Sequence, residues 1–523
     1  MSTAAAGSGR HRRPEQRGLA GTLRLVRTKR TQGLAKRASV PSKKGWRGPG
    51  GGSSVWVDAP VEWRGTSVQV CGLWPFSAGS GTPVIGAPLG RHLHTGSTVC
   101  GDPVNWFLSR LIANPSMFVL GRPGLGKSSL VRHIAALLPA WGITPIVLSD
   151  LKPDYSDLIA ALDGQVIRVG RGRGNVNPLD PGPLAGLLEQ LPEAQRREAY
   201  ADIEGRRINV MTGLCELARG GTLKELEQTV LTTALRILDD EHDGVPVIRD
   251  LRELIDEGHP RLDVVAQSRG DRSRYQARVE PLIDTLISLD DGGPFGDTLS
   301  RPTSTPIQLD RPVSFDMSAV EDSDLTLQAA LQLVCWSYGS SAVSAAKWLA
   351  TAGLAPQRVY FLIMDELWRV LRASSVMIDR VDTITRLNRQ RALAQALITH
   401  TMADLKMKDA ADTMKAWGFV ERSEMVFLGG LATGEMGNLR EVFAMSKAEE
   451  NLLTSWSEEV GLSGGRAGDP PGLGCFLLKT GKRPGIPFRV ELVGIEKTIN
   501  DTNQHWKDLG ASRNRPHEEA EAF

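Results

Sequence analysis

Lys127 and Ser128 close a glycine-rich run, "GRPGLGKS" at residues 121–128, that matches the spacing G-x-x-x-x-G-K-S/T. Those residue types at that spacing suit the phosphates of a nucleotide. Gly121, Gly124 and Gly126 let backbone N–H groups curl around phosphate oxygens without a Cβ in the way. A helix that starts at the lysine turns its positive end toward the anion. The nucleotide-binding positions are therefore Gly121, Arg122, Pro123, Gly124, Leu125, Gly126, Lys127, Ser128 and Ser129. Lys127 would reach the β- and γ-phosphates, and Ser128 would ligate Mg2+. The competing reading is a chance loop of the same composition. The apolar "MFVL" just before it and the helical "SLVRHIAALL" just after it argue against chance.

A second constellation ends the apolar run "VYFLIMDE" at residues 359–366. Asp365 would bind Mg2+, usually through water, and Glu366 is placed to polarise an attacking water. The alternative is an acidic pair that caps the following helix, "LWRVLR". With a phosphate loop upstream, the pair reads as the other half of a hydrolytic site, and Mg2+-dependent ATP hydrolysis becomes the expected activity. His400 in "ALITHTMADL" is the third point of interest. It reads as a hydrogen-bonded core histidine, a metal ligand, or a polar sensor of bound ligand. The metal reading lacks partner residues.

These residues need elements to hold them. Apolar runs at "MFVL", "TPIVLSD", "QVIRVG", "RPVSFDMS", "VYFLIMDE", "QALITHT", "SEMVFLGG" and "GCFLLK" read as strands, most with helical stretches between them, so an α/β fold with a largely parallel sheet is expected. The alternation stops between Pro181 and about Gly293. There "LKELEQTVLTTALRILDDEH", "VIRDLRELIDEG" and "QARVEPLIDTLISL" carry apolar residues at helical spacing. An all-helical insertion follows from that pattern. Before the phosphate loop, "VEWRGTSVQVCGLWPF" alternates in the manner of a small β region. Trp106, Trp336, Trp368 and Trp417 lie on apolar helical faces and read as core packing rather than base-stacking platforms; Trp368 is close enough to Glu366 in sequence to buttress it.

The chain has 523 residues, which suggests roughly two to four domains. Its 41% apolar and 23% charged content is that of a globular chain rather than a fibrous or disordered one. The five cysteines, Cys71, Cys100, Cys215, Cys335 and Cys475, have no C-x-x-C spacing, and His92 and His94 lack a second ligand pair, so neither a zinc site nor a disulfide framework is indicated. The net charge of +2 conceals an asymmetry: the first 50 residues hold 13 Lys and Arg against one acidic residue, and the remainder holds 49 against 59. A solvated basic tail is one reading of that arm. Attraction to anionic lipid or nucleic acid, or docking on a partner, are the others. No apolar run approaches the roughly 20 residues of a membrane span, and no signal peptide is evident. The expected location is cytoplasmic, peripheral at the inner face of the cell membrane.

Taken in order, "FVLGRPGLGKSSL", "VLSDLKPDY", "VIRVGRGRGNVNPLD", "FLIMDELWRVL" and "RLNRQRALAQALITHTMADL" resemble the motifs of the type IV secretion and conjugation ATPases of the VirB-four type, within the larger class of HerA/FtsK-like motors. The resemblance implies a RecA-like P-loop NTPase motor domain interrupted by a helical region. It implies a hexameric or otherwise multimeric assembly with membrane channel proteins as partners, where ATP hydrolysis supports transport or apparatus assembly. Lys127 and Ser128 match the Walker A positions, Asp365 and Glu366 the Walker B positions, and Asp150 the acidic residue after the second strand. Arg386, Arg389 and Arg391 occupy the basic helix where such motors often place an arginine for a neighbour's nucleotide; Arg483 is a further candidate. The catalytic set implied is Glu366, Lys127, His400, Arg389 and Arg386, with Ser128 and Asp365 on the metal. The organisation expected is a basic arm at 1–53, a small β region at 54–103, the motor at 104–180 and 301–508, the helical insertion at 181–300 and a polar tail at 509–523.

Two departures stand out. Only the arm and small β region precede the motor, where many family members carry a substantial channel-docking domain. The sensor strand ends in His400 rather than glutamine; a neutral imidazole both donates and accepts, as glutamine does. Unlike an amide, an imidazole also changes charge near neutral pH. Two other functions stay open: a DNA-translocating motor of the coupling-protein or FtsK/HerA type, in which the basic arm would add salt-sensitive affinity for DNA, and a nucleotide-binding scaffold with little turnover.

Overall fold

The computed structural model describes residues 82–295, 297–373, 378, 381, 393–458 and 470–499. The basic arm, most of the expected 54–103 β region, the polar tail and Arg386, Arg389 and Arg391 lie outside the described residues.

Strands organise the molecule, the central ones buried on both faces. Among the described residues the strands are β1 (Pro88–His92), β2 (Thr98–Cys100), β3 (Ser116–Leu120), β4 (Ile143–Asp150), β5 (Gln165–Arg168), β6 (Val313–Asp316), β7 (Val359–Met364), β8 (Leu393–Ile398), β9 (Met425–Leu428), β10 (Cys475–Lys479) and β11 (Ile486–Val490). They form one sheet in the order β2-β1-β11-β10-β9-β3-β8-β7-β4-β6-β5. From β9 through β5 all neighbours are parallel. The remaining pairs, β10 with β9 and β11 and β1 with β11 and β2, are antiparallel. The described part of the region expected as a small β region holds β1 and β2, which form one edge of this sheet. Its β1 is joined through β11, whose sequence lies some four hundred residues away.

The two-residue period of a strand divides the core. Phe118 and Leu120 face one side, where they join Leu148, Leu362, Val426 and the helical region, whereas Met117 and Val119 face the other with Val131 and Ile134 of the helix Lys127–Leu137. The first face is covered by helices that lie between β5 and β6, chiefly Glu193–Arg219, Glu225–Glu241, Ile248–Glu257 and Arg272–Leu289. In Glu225–Glu241, Val230, Leu231, Ala234, Leu235 and Leu238 recur at helical spacing and are buried. The helix Leu325–Thr351 is buried along most of its length, including Trp336, because helices pack on one side of it and the sheet on the other. Trp106 is buried as well, its indole N–H donating to the Ile85 carbonyl at 2.9 Å.

Parallel strands end at one edge of a sheet, and ligands of such sheets bind there. β3 leads into residue 121, β4 ends at Asp150, β7 leads into Asp365, β8 into Thr399 and His400, and β9 into Gly429. Since β8 lies between β3 and β7, Thr399 and His400 at its end sit between the glycine loop and the acidic pair. No helix among the described residues is long and apolar enough to cross a membrane.

Candidate nucleotide site

The glycine loop leaves β3 and turns into the helix Lys127–Leu137 through two left-handed residues, Gly124 at φ +80° and Gly126 at φ +96°. An L side chain is strained in both places. Gly126 caps the helix without a side chain, so the first-turn N–H groups are not taken up by a cap and face outward as an anion nest. Gly121 has a different reason to be glycine: a Cβ there would lie 3.2 Å from Cα of Gly429, in the strand end next door. Backbone hydrogen bonds lock the loop to its neighbours. Gly121 donates to the His400 carbonyl at 2.9 Å, Arg122 to Gly430 at 3.0 Å, and Gly474 to Leu125 at 3.0 Å. The Lys127 ammonium is buried and curls over the loop, donating to the carbonyls of Gly121 (2.7 Å) and Arg122 (3.3 Å). Its burial pushes its pKa down, while the charges of Asp365 and Glu366 oppose that.

Glu366 is held by its backbone and by three side chains. Its backbone is left-handed, φ +53°, which a non-glycine residue adopts at a cost of about 1–3 kcal/mol and keeps when the surroundings impose it. Trp368 supplies part of that constraint: its indole N–H donates to Glu366 Oε2 at 2.5 Å. His400 Nε2 lies 3.3 Å from the same oxygen, and Lys152 Nζ lies 3.6 Å from Oε1. Burial raises the Glu366 carboxyl's pKa, but the hydrogen bond and charge of His400, then Trp368 and Lys152, outweigh it and hold it at about 2. The Asp365 carboxyl goes the other way, up to about 6, through desolvation and the charge of Glu366, against hydrogen bonds from Tyr155 and the Glu366 N–H.

The loop after β4 completes the enclosure. Asp150 is buried and accepts the N–H groups of Asp154, Tyr155 and Ser156 at 3.0, 3.1 and 3.0 Å and the Ser156 hydroxyl at 2.9 Å. It thus folds its own loop. Desolvation pushes its carboxyl up to about 7 despite those four donors. The loop then reaches both halves of the site. The Tyr155 hydroxyl donates to Asp365 Oδ2 at 2.9 Å, and Asp154 hydrogen-bonds Ser128. Adjacent residues of one short loop therefore touch Ser128 and Asp365, the two positions expected from the sequence to hold a magnesium ion. Nothing in the single residues Lys152, Asp154 or Tyr155 marks them as site residues; the available signal is their place just past the end of a buried strand, in "VLSDLKPDY".

Other expected positions are less engaged. Arg122 is exposed and donates to the Ser457 carbonyl at 2.8 Å, and Pro123 is exposed beside it. Ser129 Oγ accepts from Arg132 at 3.4 Å. His400 Nδ1 is buried without a hydrogen-bond partner. Arg483 is exposed in the turn between β10 and β11; because β10 runs antiparallel to β9, that turn lies at the opposite end of the sheet from this chain's glycine loop. No cluster of three or more His, Cys, Asp or Glu among the described residues is arranged for a metal, and His92 Nδ1 instead accepts the N–H groups of His94 and Thr95.

A mostly parallel sheet with a glycine phosphate loop after one strand, an acidic pair after a second and a further strand between them defines a RecA-like P-loop nucleotide-binding fold. Among solved structures, VirB4 of Thermoanaerobacter pseudethanolicus shares that fold, with a TM-score of 0.58 at 17% identity over 80% of this chain and 100% of that one. The plasmid coupling protein TrwB matches more loosely: its complex with a non-hydrolysable GTP analogue gives a TM-score of 0.43 at 13% identity, over 72% of this chain and 86% of that one. Its complex with ADP and Mg2+ gives 0.37 at 14% identity, over 72% and 85%. No protein-family model and no curated protein matches the sequence.

Proposed function

We propose that this chain is a Mg2+-dependent ATPase that works as a multimer to energise conjugative transfer or type IV secretion, moving substrate or assembling the apparatus. The observation that carries the reading is Glu366, an ionised carboxylate held in strained backbone by Trp368 and His400 at the sheet edge that also presents Lys127. The loop N–H groups and Lys127 bind the triphosphate. Ser128 and Asp365 would hold Mg2+, which would supply positive charge to the triphosphate. Glu366, with a pKa near 2, orients the attacking water rather than fully removing its proton, which suits the loose transition state of phosphoryl transfer. In this reading residues 104–180 and 301–508 are the motor, 181–300 its helical insertion, and an arginine among Arg386, Arg389 and Arg391 serves a neighbouring copy. The assembly works at the cytoplasmic face of a membrane channel.

The test is ATP turnover as a function of oligomeric state, with and without DNA, for the wild type and Glu366→Gln. Turnover in the multimer that the variant loses while still binding ATP supports the proposal. An assembled wild type without turnover favours a scaffold. Strong stimulation by DNA favours a translocating motor, and co-purification with channel membrane proteins favours the secretion role.

A further inference from the structure

The loop after β4 is tied down at several points. Asp150 fixes its backbone through three N–H groups, Arg132 donates to the Asp154 carbonyl at 3.1 Å, and Tyr155, 1% exposed, is tied to Asp365. Lys152 projects from this frame with its side chain 58% exposed, and its ammonium reaches Glu366 Oε1 at 3.6 Å. The two oxygens of Glu366 are therefore held in different ways. Oε2 is anchored by the Trp368 indole and His400, whereas the contact made by Oε1 is the long, solvated one to Lys152. A contact that long, with its lysine open to solvent, is weak enough to be exchanged for a triphosphate. A lysine suits the exchange, being a compact charge on a flexible four-carbon stem. Lys152 is also near enough to the glycine loop for its charge to act on the Lys127 ammonium, after burial and the two carboxylates.

Resting on the ATPase reading above, we propose that Lys152 is a further catalytic residue, whose ammonium leaves Glu366 for the γ-phosphate oxygens of bound ATP, acting beside Lys127 as a second cation from the same chain and freeing Glu366 Oε1 for the attacking water. In the step it serves, the water oxygen forms a bond to the γ-phosphorus. The bond from that phosphorus to the β,γ-bridging oxygen breaks, its electron pair leaves on ADP, and the water's proton passes to the phosphate product. Lys152 keeps its own protons and balances the charge on the transferred group. Coupling the two events in one side chain means that Glu366 is released when a γ-phosphate is present and is held when ADP is.

The experiment compares full-length wild type, Lys152→Met and Lys152→Arg, with Mg2+, for binding of the non-hydrolysable ATP analogue ADPNP and of ADP, and for kcat. The proposal expects the wild type to prefer ADPNP, Lys152→Met to lose about 10-fold of that preference with ADP affinity unchanged, and kcat to fall about 100-fold. Lys152→Arg should restore part of both, because charge is what matters. A Lys152→Met protein with the wild-type preference and kcat overturns the proposal. Equal weakening of both nucleotides also overturns it, since that is the signature of a misfolded loop. A wild type that binds both nucleotides without hydrolysing either removes the ATPase reading, and the binding preference alone then decides whether Lys152 meets the γ-phosphate.

Discussion

His400 Nε2 lies 3.3 Å from Glu366 Oε2, while the same histidine's backbone carbonyl accepts the N–H of Gly121 at 2.9 Å. One residue thus joins the phosphate loop to the acidic pair, because β8 is inserted between β3 and β7. Its Nδ1 is buried and unpartnered, an arrangement that costs about 1–3 kcal/mol when no group fills it. A glutamine amide can also donate to Glu366 and offer a second polar atom. His400→Gln is therefore expected to keep kcat within about 3-fold, and His400→Ala to lose about 10- to 100-fold. Steady-state ATPase rates decide the matter; an alanine variant as active as wild type would leave His400 a packing residue.

Tyr155 tests the metal half of the site. Its hydroxyl is the side-chain donor to Asp365, and Tyr155→Phe removes that bond while keeping the buried ring. Outer hydrogen bonds to a metal-binding carboxylate typically set about 10- to 100-fold in metal affinity or activity. The Mg2+ concentration for half-maximal turnover should rise by about 10-fold, with ATP affinity at saturating Mg2+ little changed. An unaltered Mg2+ dependence would count against Asp365 as the metal position.

Gly121→Ala probes the closeness of two strand ends. The new methyl would sit 3.2 Å from Cα of Gly429 and 3.5 Å from its backbone nitrogen, atoms that cannot swing aside as a side chain can. Separating β3 from β9 is expected to cost about 1–3 kcal/mol and to misplace the carbonyl on which Lys127 rests. Thermal unfolding should show a lower Tm, and nucleotide binding should weaken in parallel. A variant of unchanged Tm would mean that the loop shifts freely.

The parts of the site that are legible in the sequence are local. β3, the glycine turn and its helix are contiguous, so chemistry and scaffold appear together, and the acidic pair announces itself as the polar end of "VYFLIM". The apolar runs read as strands coincide with β3 to β10; in β7 and β9 the burial of both faces calls for an apolar residue at every step. β11, "IPFRV", escapes that pattern because its proline and arginine interrupt the apolar run, and its last two residues are not buried. The bond from Tyr155 to Asp365 joins residues 210 apart, and the neighbours that give Lys152 its meaning are equally remote. Such contacts depend on the order of strands in the sheet, and no short-range pattern encodes that order.

The far side of the nucleotide helix offers a pH test of stability. His133, 3% exposed on the helix Lys127–Leu137, has Nδ1 at 2.8 Å from Glu496 Oε1 and Nε2 at 2.8 Å from the Pro88 carbonyl. Both ring nitrogens face acceptors, and satisfying both takes two N–H groups, which only the imidazolium has. Burial lowers the histidine's pKa, but the Glu496 hydrogen bond, the Pro88 carbonyl and the Glu496 charge together raise it above its ordinary 6.5. Glu496 is correspondingly held below its ordinary 4.5, burial notwithstanding, chiefly by the bond from His133. A raised histidine gives stability that is fully present below pH 6.5 and is lost as pH rises through the higher folded value; a lowered carboxyl gives stability present above pH 4.5 and lost as pH falls through the lower one. The junction of β1, the nucleotide helix and the helix Gly494–Ile499 should thus be strongest between those limits and weaken toward alkaline pH. Tm measured from pH 5 to pH 9 is expected to fall on the alkaline side in the wild type. Glu496→Gln should lower Tm near pH 6 by the equivalent of about 1–3 kcal/mol and flatten the alkaline decline, because the histidine no longer gains a charged partner on folding. A wild type and variant with superimposable Tm profiles would show that the pair contributes no pH-dependent stability.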